Sequence, residues 1–326
     1  MIFSKVHQQF AGKNAKLGNE KSTPQITSFY LKGHERRGEL LHKWSANFLE
    51  FLRTRYGLNS PWESILIVAV EAEYEQVDVL NNLVLVPLPN YKRSELMDRQ
   101  ALGFLTRRLA QLWFGESIWS NQDTQQWLNL GVPAFLGLRF FQHKYGADAG
   151  IFDSFDWLNP RYRDHYYESM TNSISPKMRY PIISSFRKNP NSQKYLQTLT
   201  YKTAMVLSML EYMLSEKAFQ QGLMRFSQKN QQKVIGIQEF QQAFEKFNFP
   251  LLKAPPLPAD APYNAEGPGS LEWFFSQWFR TVETLDYSFE ESNTKMLANG
   301  KYETEIKINK IGAAKMPIVV ALKTID

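Results

Sequence analysis

The chain has 326 residues, of which 43% are hydrophobic and 14% aromatic. This content can bury one large core or two modest ones, so global disorder is excluded and two structural units are expected. The absence of cysteine excludes disulfides, thiolate nucleophiles and cysteine metal sites, and it does not indicate a compartment.

The net charge of +6 is spread along the chain, with acidic residues interleaved among the basic ones. Nucleic-acid binding is not expected, because it needs a concentrated basic face. The longest strongly apolar run, ILIVAV at residues 65–70, falls far short of the roughly 18 residues of a membrane span. The first residues also lack the apolar core of a signal peptide. Membrane association is therefore expected only through segments outside this chain, and the localisation is left open.

The first part of the chain predicts a lobe that contains strands. Residues 1–24 are polar and rich in Gly, Lys and Asn, which indicates a flexible lead-in. Alternation in residues 25–33 predicts a strand, and Gly57 ends the helix that follows. Residues 64–78 and 81–89 predict two more strands, the first covered on both faces because its apolar run is continuous. The helix that ends at Gly57 is predicted to bury one face, because its apolar residues recur at spacings of three and four: Leu40, Leu41, Trp44, Phe48 and Leu52.

From Ser94 onward the pattern is largely helical, with a polar, proline-containing interruption at residues 159–193. The proline-rich residues 253–270 cannot continue a helix, and Ser270 is expected to cap a new one that carries Glu272 in its first turn. Afterwards the apolar period is two, so DYSFEES, KYETEIKIN and MPIVVALKTID predict three strands of a partial β domain. The predicted helices cover residues 94–114, 123–145, 195–215, 216–229 and 237–247.

Several clusters allow both a functional and a packing interpretation. Alternating glutamates on one predicted strand are conceivable as a hydrolase site, although one polar face of an edge strand is favoured. Residues 162–168, which include Asp164, His165 and Tyr166, are interpreted as a surface turn, and no G-x-S-x-G elbow supports serine catalysis. The glutamates are Glu71, Glu73 and Glu75. Four aromatic residues at helical spacing are interpreted as core: Trp113, Phe114, Trp127 and Phe135.

Segments in the middle of the chain resemble the M1 aminopeptidases, a family of zinc gluzincins with a thermolysin-like catalytic domain. RRLAQLWFG at residues 107–115 is similar to the family's HELAHQWFG helix, and WLNLGVPAFL at residues 127–136 resembles WLNEGFAEYL. The interval of 18 residues between the second and third metal positions also matches. TYKTAMVLSMLEYML at residues 200–214 resembles YEKGALVLHML, and LEWFFSQWF at residues 271–279 resembles the end of the catalytic domain.

The resemblance implies that the zinc chemistry has been lost. In HExxH two histidines bind the metal and the glutamate acts as general base. Arginine offers no lone pair to a cation and leucine is not a ligand, so no metal and no other cofactor are expected. The five histidines stand nowhere four residues apart, and residues 70–87 contain nothing like the GAMEN strand that anchors a substrate amine. The vestigial positions carry Arg107 and Gln111 for the histidines, Arg108 for the base, Leu130 for the third ligand, and Thr200 for the oxyanion tyrosine, with Tyr201 one residue late and about 100° away.

The predicted fold class is therefore α+β and mainly helical, with a thermolysin-like M1 domain followed by a partial immunoglobulin-like β domain. The expected boundaries are 1–24 for the lead-in, 25–282 for the M1 domain, with its strand lobe ending near residue 90, and 283–326 for the β domain. The arginine pair Arg107 and Arg108 is conceivable as an anion site in the old cleft, while a solvated or internally paired helix face is favoured.

The predicted function is a catalytically inactive M1-like protein that binds or scaffolds a protein or peptide partner. It is expected to be part of a larger or membrane-associated protein. The alternative is an active metallopeptidase or hydrolase with a displaced site.

Overall fold

The structure is a computed structural model. It describes residues 10–16, 24–72, 77–87, 89, 94–152, 159–164, 166, 180–188, 192–245, 270–318 and 320.

The N-terminal lobe is built on a mixed sheet in the order β1-β2-β3-β5-β4. Strand β2 is parallel to β3, β3 is parallel to β5, and the outer pairs β1/β2 and β4/β5 are antiparallel. The flexible lead-in predicted for residues 1–24 is therefore wrong at residues 10–16, where pairing with β2 makes a strand. The strands are β1 (Phe10–Lys16), β2 (Gln25–Leu31), β3 (Ser64–Val70), β4 (Asp78–Leu80) and β5 (Leu83–Pro87).

Helix α1 (Glu35–Tyr56) packs on this sheet with the predicted apolar face, although Leu40 is only partly buried. It ends at Gly57, whose φ of 62° lies in the left-handed region that a glycine adopts without strain. The amide of Gly57 donates to Arg53 O, which is the αL capping motif, and the amide of Leu58 donates to Leu52 O.

Strand β3 shows a regular alternation of buried and half-buried residues, so it is not covered equally on both faces as predicted. Its buried side is made of Ile65, Ile67 and Ala69. The strand ends at Val70, so Glu71 lies beyond it and is exposed, while residues 73–76 lie outside the described part of the chain.

The remaining body is helical, as predicted, with boundaries that shift by a few residues. The first predicted helix is shorter, because residues 95–97 form a 3-10 turn and residues 111–113 are turns. Two short strands, β6 (Trp119–Ser120) and β7 (Val234–Ile235), pair in parallel beside these helices. The helices are α2 (Asp98–Ala110), α3 (Trp127–Tyr145), α4 (Ser192–Leu214), α5 (Glu216–Asn230), α6 (Ile237–Phe244) and α7 (Glu272–Arg280).

Helix α7 begins at Glu272, and Ser270 Oγ accepts the amide of Glu272 at 3.2 Å. Beyond α7, β8 (Tyr287–Met296) and β9 (Tyr302–Lys310) form an antiparallel hairpin. The third predicted strand does not form within the described residues 311–318, and most of the remaining candidate lies outside the described part. The hairpin fits the partial β domain, while the domain boundaries stay predictions.

The core predicted from the aromatic spacing is confirmed: Trp113, Phe114, Trp127 and Phe135 are at most 2% exposed. Trp127 packs edge-on against Phe240 and Phe279, so α3 meets α6 and α7 through aromatic rings. Across the described ranges, none of the helices combines the length and apolar character that crossing a bilayer requires.

Candidate functional site

Helix α3 packs against both α2 and α4, and side chains of α2 and α4 line one cleft. A Cβ on Gly131 of α3 would lie 2.2 Å from Thr203 Cβ of α4, so only a glycine allows this crossing. On the opposite side, Gly137 of α3 faces the backbone of Arg107 on α2, where an added Cβ would sit at an ordinary 3.4 Å from the Arg107 amide nitrogen. The three helices thus fix the positions that the sequence singled out.

Gln111, one residue past the end of α2, connects that helix to α3. Its Nε2 donates to Asn129 O at 2.9 Å. In a regular helix that carbonyl accepts the amide of residue 133, but residue 133 is a proline inside α3 and has no N–H. The carboxamide of Gln111 therefore supplies the hydrogen bond that Pro133 removes from the helix.

Arg108 lies on the side of α2 that faces the edge strand β4. Its Nη1 donates to Gln111 Oε1 at 3.2 Å. The pKa of Arg108 is lowered to about 10, mainly by burial and also by the positive charge of Arg107. The carboxylate of Asp78 in β4 acts in the opposite direction. The guanidinium is still protonated at neutral pH, so Arg108 has no lone pair with which to act as a base.

Arg107 points to a different place, because neighbours in a helix lie about 100° apart. It lines a cleft of about 430 Å³ together with one face of α2, formed by Gln100, Gly103 and Phe104. The guanidinium lies 5.3 Å from the centre of the Phe104 ring. Within the described part of the chain it makes no ion pair and no hydrogen bond.

The far wall of this cleft is made of tyrosines. Tyr162, Tyr166 and Tyr201 line it, and Tyr166 meets Tyr201 edge-on at 5.0 Å between ring centres. Burial raises the pKa of Tyr162, and it raises that of Tyr166 well above 10. Both hydroxyls are therefore neutral donors at physiological pH.

Two expectations about these residues change, and three lining residues were not expected. Tyr166 is only 2% exposed, so residues 162–168 are not simply a surface turn, although Asp164 is half exposed and residue 165 lies outside the described part. Tyr201 lines the same cleft as Arg107, although it stands one residue after the position that resembles the family's tyrosine. The sequence reasoning missed Gln100, Phe104 and Tyr162, although the i, i+3, i+4, i+7 spacing of residues 100, 103, 104 and 107 was a usable signal.

The remaining positions do not form an oxyanion or metal site. Thr200 is buried, and its hydroxyl donates to Leu196 O at 2.8 Å within α4. Leu130 is half-buried and packs against the core. Among the described residues, no group of three or more His, Asp or Glu side chains is arranged to hold a metal ion.

A model of the peptidase family M1 domain matches residues 41–278. The chain belongs to peptidase family M1. This match covers the cleft and all three helices that form it. No curated protein matches the sequence.

Solved structures of M1 enzymes share the fold. An aminopeptidase A from Legionella pneumophila, in complex with aspartic acid, is 11% identical with a TM-score of 0.63, over 92% of this chain and 31% of that one. An M1 zinc metallopeptidase mutant from Deinococcus radiodurans, bound to a Tyr-Ser-Ala substrate, is 13% identical with a TM-score of 0.53. The match covers 72% of this chain and 48% of that one. This chain thus spans less than half the length of either structure.

The zinc of the M1 family does not fit the residues present here. At the positions that resemble the two histidines stand a guanidinium and a carboxamide already bonded to a carbonyl. At the third position stands the aliphatic Leu130. Neither arginine nor leucine can donate a lone pair to a cation, so these positions do not provide a zinc ligand set.

Proposed function

We propose that this M1 domain does not hydrolyse peptides through zinc and that it is a binding or scaffolding module for a protein or peptide partner. The observation that carries the proposal is the engagement of Gln111. Its carboxamide donates a hydrogen bond to the Asn129 carbonyl, which has no backbone donor because residue 133 is a proline. A side chain that completes a helix in this way is a structural element and not a free ligand.

The neighbouring charges support the same conclusion. Two guanidinium groups stand side by side on α2, and each would repel a divalent cation placed between α2 and α3. The position of the general base is held by Arg108, which carries its proton at neutral pH. The cleft beside Arg107 is a concave surface with aromatic walls and one cationic group among its described lining residues, which is a chemistry that suits a binding site.

The test combines metal analysis with an activity assay. The purified chain is assayed for zinc by mass spectrometry and for cleavage of amino-acid 4-nitroanilides with acidic, basic and apolar side chains. We expect zinc well below one ion per chain and no turnover above the rate measured without protein. Stoichiometric zinc with turnover that a chelator abolishes would instead establish the alternative, an active hydrolase with a displaced site.

Scaffolding inside a longer or membrane-associated protein is part of the same proposal, and the M1 structures above are both much longer than this chain. Co-expression with the segments that flank this chain in its gene product tests it. Flanking segments that raise the melting temperature of the domain would support a scaffold. Segments that leave it unchanged would favour a domain that binds its partner independently.

A further inference from the structure

We propose that the cleft of Arg107 recognises the C-terminal residue of a peptide, with the guanidinium on the α-carboxylate and the aromatic wall around an apolar side chain. The inference rests on the proposed function, because it requires a cleft that binds and does not cleave. In this proposal Arg107, Gln100 and the tyrosines of the cleft are the residues that contact the ligand.

The charge of the cleft favours a carboxylate. Arg107 is the one charged residue among the described residues that line it, so it suits a single negative charge. Arginine presents two parallel N–H donors that match the two oxygens of a carboxylate. A phosphate dianion would need further cations, and the described lining supplies none.

The position of the guanidinium fits ligand binding better than packing. It is half-buried above the Phe104 ring and has no acidic partner in the described chain, whereas the other half-buried arginine of the site, Arg108, is hydrogen-bonded to Gln111. The hydroxyls of Tyr162 and Tyr166 bond to each other, and that of Tyr166 also donates to Ala134 O, so the guanidinium of Arg107 is the donor that the cleft offers to a carboxylate.

A second polar group suggests a ligand that also carries an N–H. Gln100, one of the lining residues, has a buried Oε1 without a hydrogen-bond partner among the described atoms. A buried acceptor that stays unsatisfied costs free energy, so a ligand that offers it a donor is favoured. The C-terminal residue of a peptide carries a carboxylate and an amide N–H on neighbouring atoms, and this pair matches Arg107 and Gln100.

The walls set the preference for the side chain. Phe104 on one side and Tyr162, Tyr166 and Tyr201 on the other present ring faces and edges, and Ile151 adds an aliphatic contact. Such walls favour an aromatic or large aliphatic residue at the peptide terminus, because ring pairs gain from both burial and geometry.

The test is isothermal titration of the full chain with N-acetylphenylalanine, which has the carboxylate, the N–H and the ring. N-acetylphenylalaninamide, which lacks the charge, is the matched ligand control. We expect saturable binding of the acid and binding of the amide that is weaker by roughly tenfold or more. Equal binding of acid and amide, or no saturable binding of the acid up to about 10 mM, would overturn the proposal.

Variants locate the binding. Arg107→Gln should weaken binding of the acid by roughly 10- to 100-fold, and Arg107→Lys should weaken it less because the charge is kept. Arg36→Gln is the control, since this arginine is 87% exposed and pairs with Glu95 at the surface. An unchanged affinity in Arg107→Gln would refute the assignment. If that variant fails to fold, the comparison of acid with amide on the wild-type chain still decides.

Three further ligands separate the sources of the anion. The peptide Ala-Ala-Phe should bind more tightly than free phenylalanine, whose ammonium group cannot extend along the cleft as a peptide does. Tighter binding of free phenylalanine, or binding of inorganic phosphate as tight as that of the acid, would overturn the peptide terminus as ligand. A chain that holds zinc and turns over would contradict the proposed function, whereas an inactive chain that binds none of these ligands contradicts only this inference.

Discussion

The link between Gln111 and Pro133 predicts an energetic coupling between two residues that do not hydrogen-bond to each other. Replacing Gln111 with leucine keeps a side chain of similar size and removes both of its hydrogen bonds, to Asn129 O at 2.9 Å and from Arg108 at 3.2 Å. Asn129 O then has no donor, because Pro133 cannot supply the amide of a regular helix.

The magnitude follows from these two bonds. Each contributes about 0.5–1.5 kcal/mol net, and an unsatisfied buried carbonyl costs about 1–3 kcal/mol. The site is partly buried, so water satisfies some of this cost, and we expect Gln111→Leu to lower the free energy of unfolding by about 2 kcal/mol. In a Pro133→Ala background the new amide can reach Asn129 O, and the same substitution should cost about 1 kcal/mol.

The assay is a double-mutant cycle by urea denaturation of the wild-type chain, both single variants and the double variant. Gln220→Leu, on the surface of α5 and hydrogen-bonded to Glu216, is the matched control and should change stability by less than about 0.5 kcal/mol. If Gln111→Leu costs the same in both backgrounds within about 0.5 kcal/mol, the carbonyl does not depend on Gln111, and the structural role assigned to it is refuted.

Three further predictions concern the same helices. Burial lowers the pKa of Lys202 from 10.5 to about 8, so the unfolded chain binds more protons between these values and stability rises with pH there. Lys202→Met removes the buried charge, which costs roughly 3 kcal/mol, and also the two long hydrogen bonds from Nζ to Tyr180 O and Thr281 O, which contribute roughly 1 kcal/mol. The variant should therefore be more stable by about 2 kcal/mol at pH 7, an advantage that narrows toward pH 10 in denaturation curves. Gly131→Ala should cost about 1–3 kcal/mol in the same measurement because its Cβ would overlap Thr203, while Gly137→Ala should be close to neutral. A variant with the family's metal residues should bind zinc and unfold more readily after chelation, whereas a variant without zinc affinity would contradict the placement of these positions. Its changes are Arg107→His, Arg108→Glu, Gln111→His and Leu130→Glu.

The elements of the fold were predictable because they depend on local periodicity. The apolar spacing of α1 and its stop at Gly57 needed only neighbours along the chain, and the capping pattern confirms both. The strand β1 was missed because its polar sequence has no apolar face to reveal it, and pairing with β2 supplies its hydrogen bonds. The shortened start of α2 depends on Ser94, whose hydroxyl accepts the Leu96 amide and turns the chain before the helix begins.

The cleft was predictable only in part, because its walls come from segments distant in sequence. Three lining residues share one face of α2, and their spacing can be read from the sequence: Gln100, Phe104 and Arg107. The place of Tyr166 cannot, since it depends on contacts with residues distant in sequence, Ala134 of α3 and Tyr201 of α4. The hydrogen bond between Gln111 and Asn129 O could not be predicted from the sequence. It depends on the fold, which brings the two residues together, and on Pro133, which leaves the carbonyl without a backbone donor.

The two arginines at the positions that resemble the first residues of the zinc motif differ in what they can bind. Arg108 is tied to Gln111, and its pKa is lowered by burial and by the adjacent positive charge of Arg107. Arg108 is protonated at neutral pH with or without a ligand, and an anion bound to Arg107 would offset the repulsion between the two guanidinium groups. A ligand that binds only the folded chain stabilises it by mass action in any case. The cleft and the link between α2 and α3 are thus connected electrostatically, and the carboxylate ligand should raise the melting temperature less in Arg108→Gln than in the wild-type chain at equal occupancy.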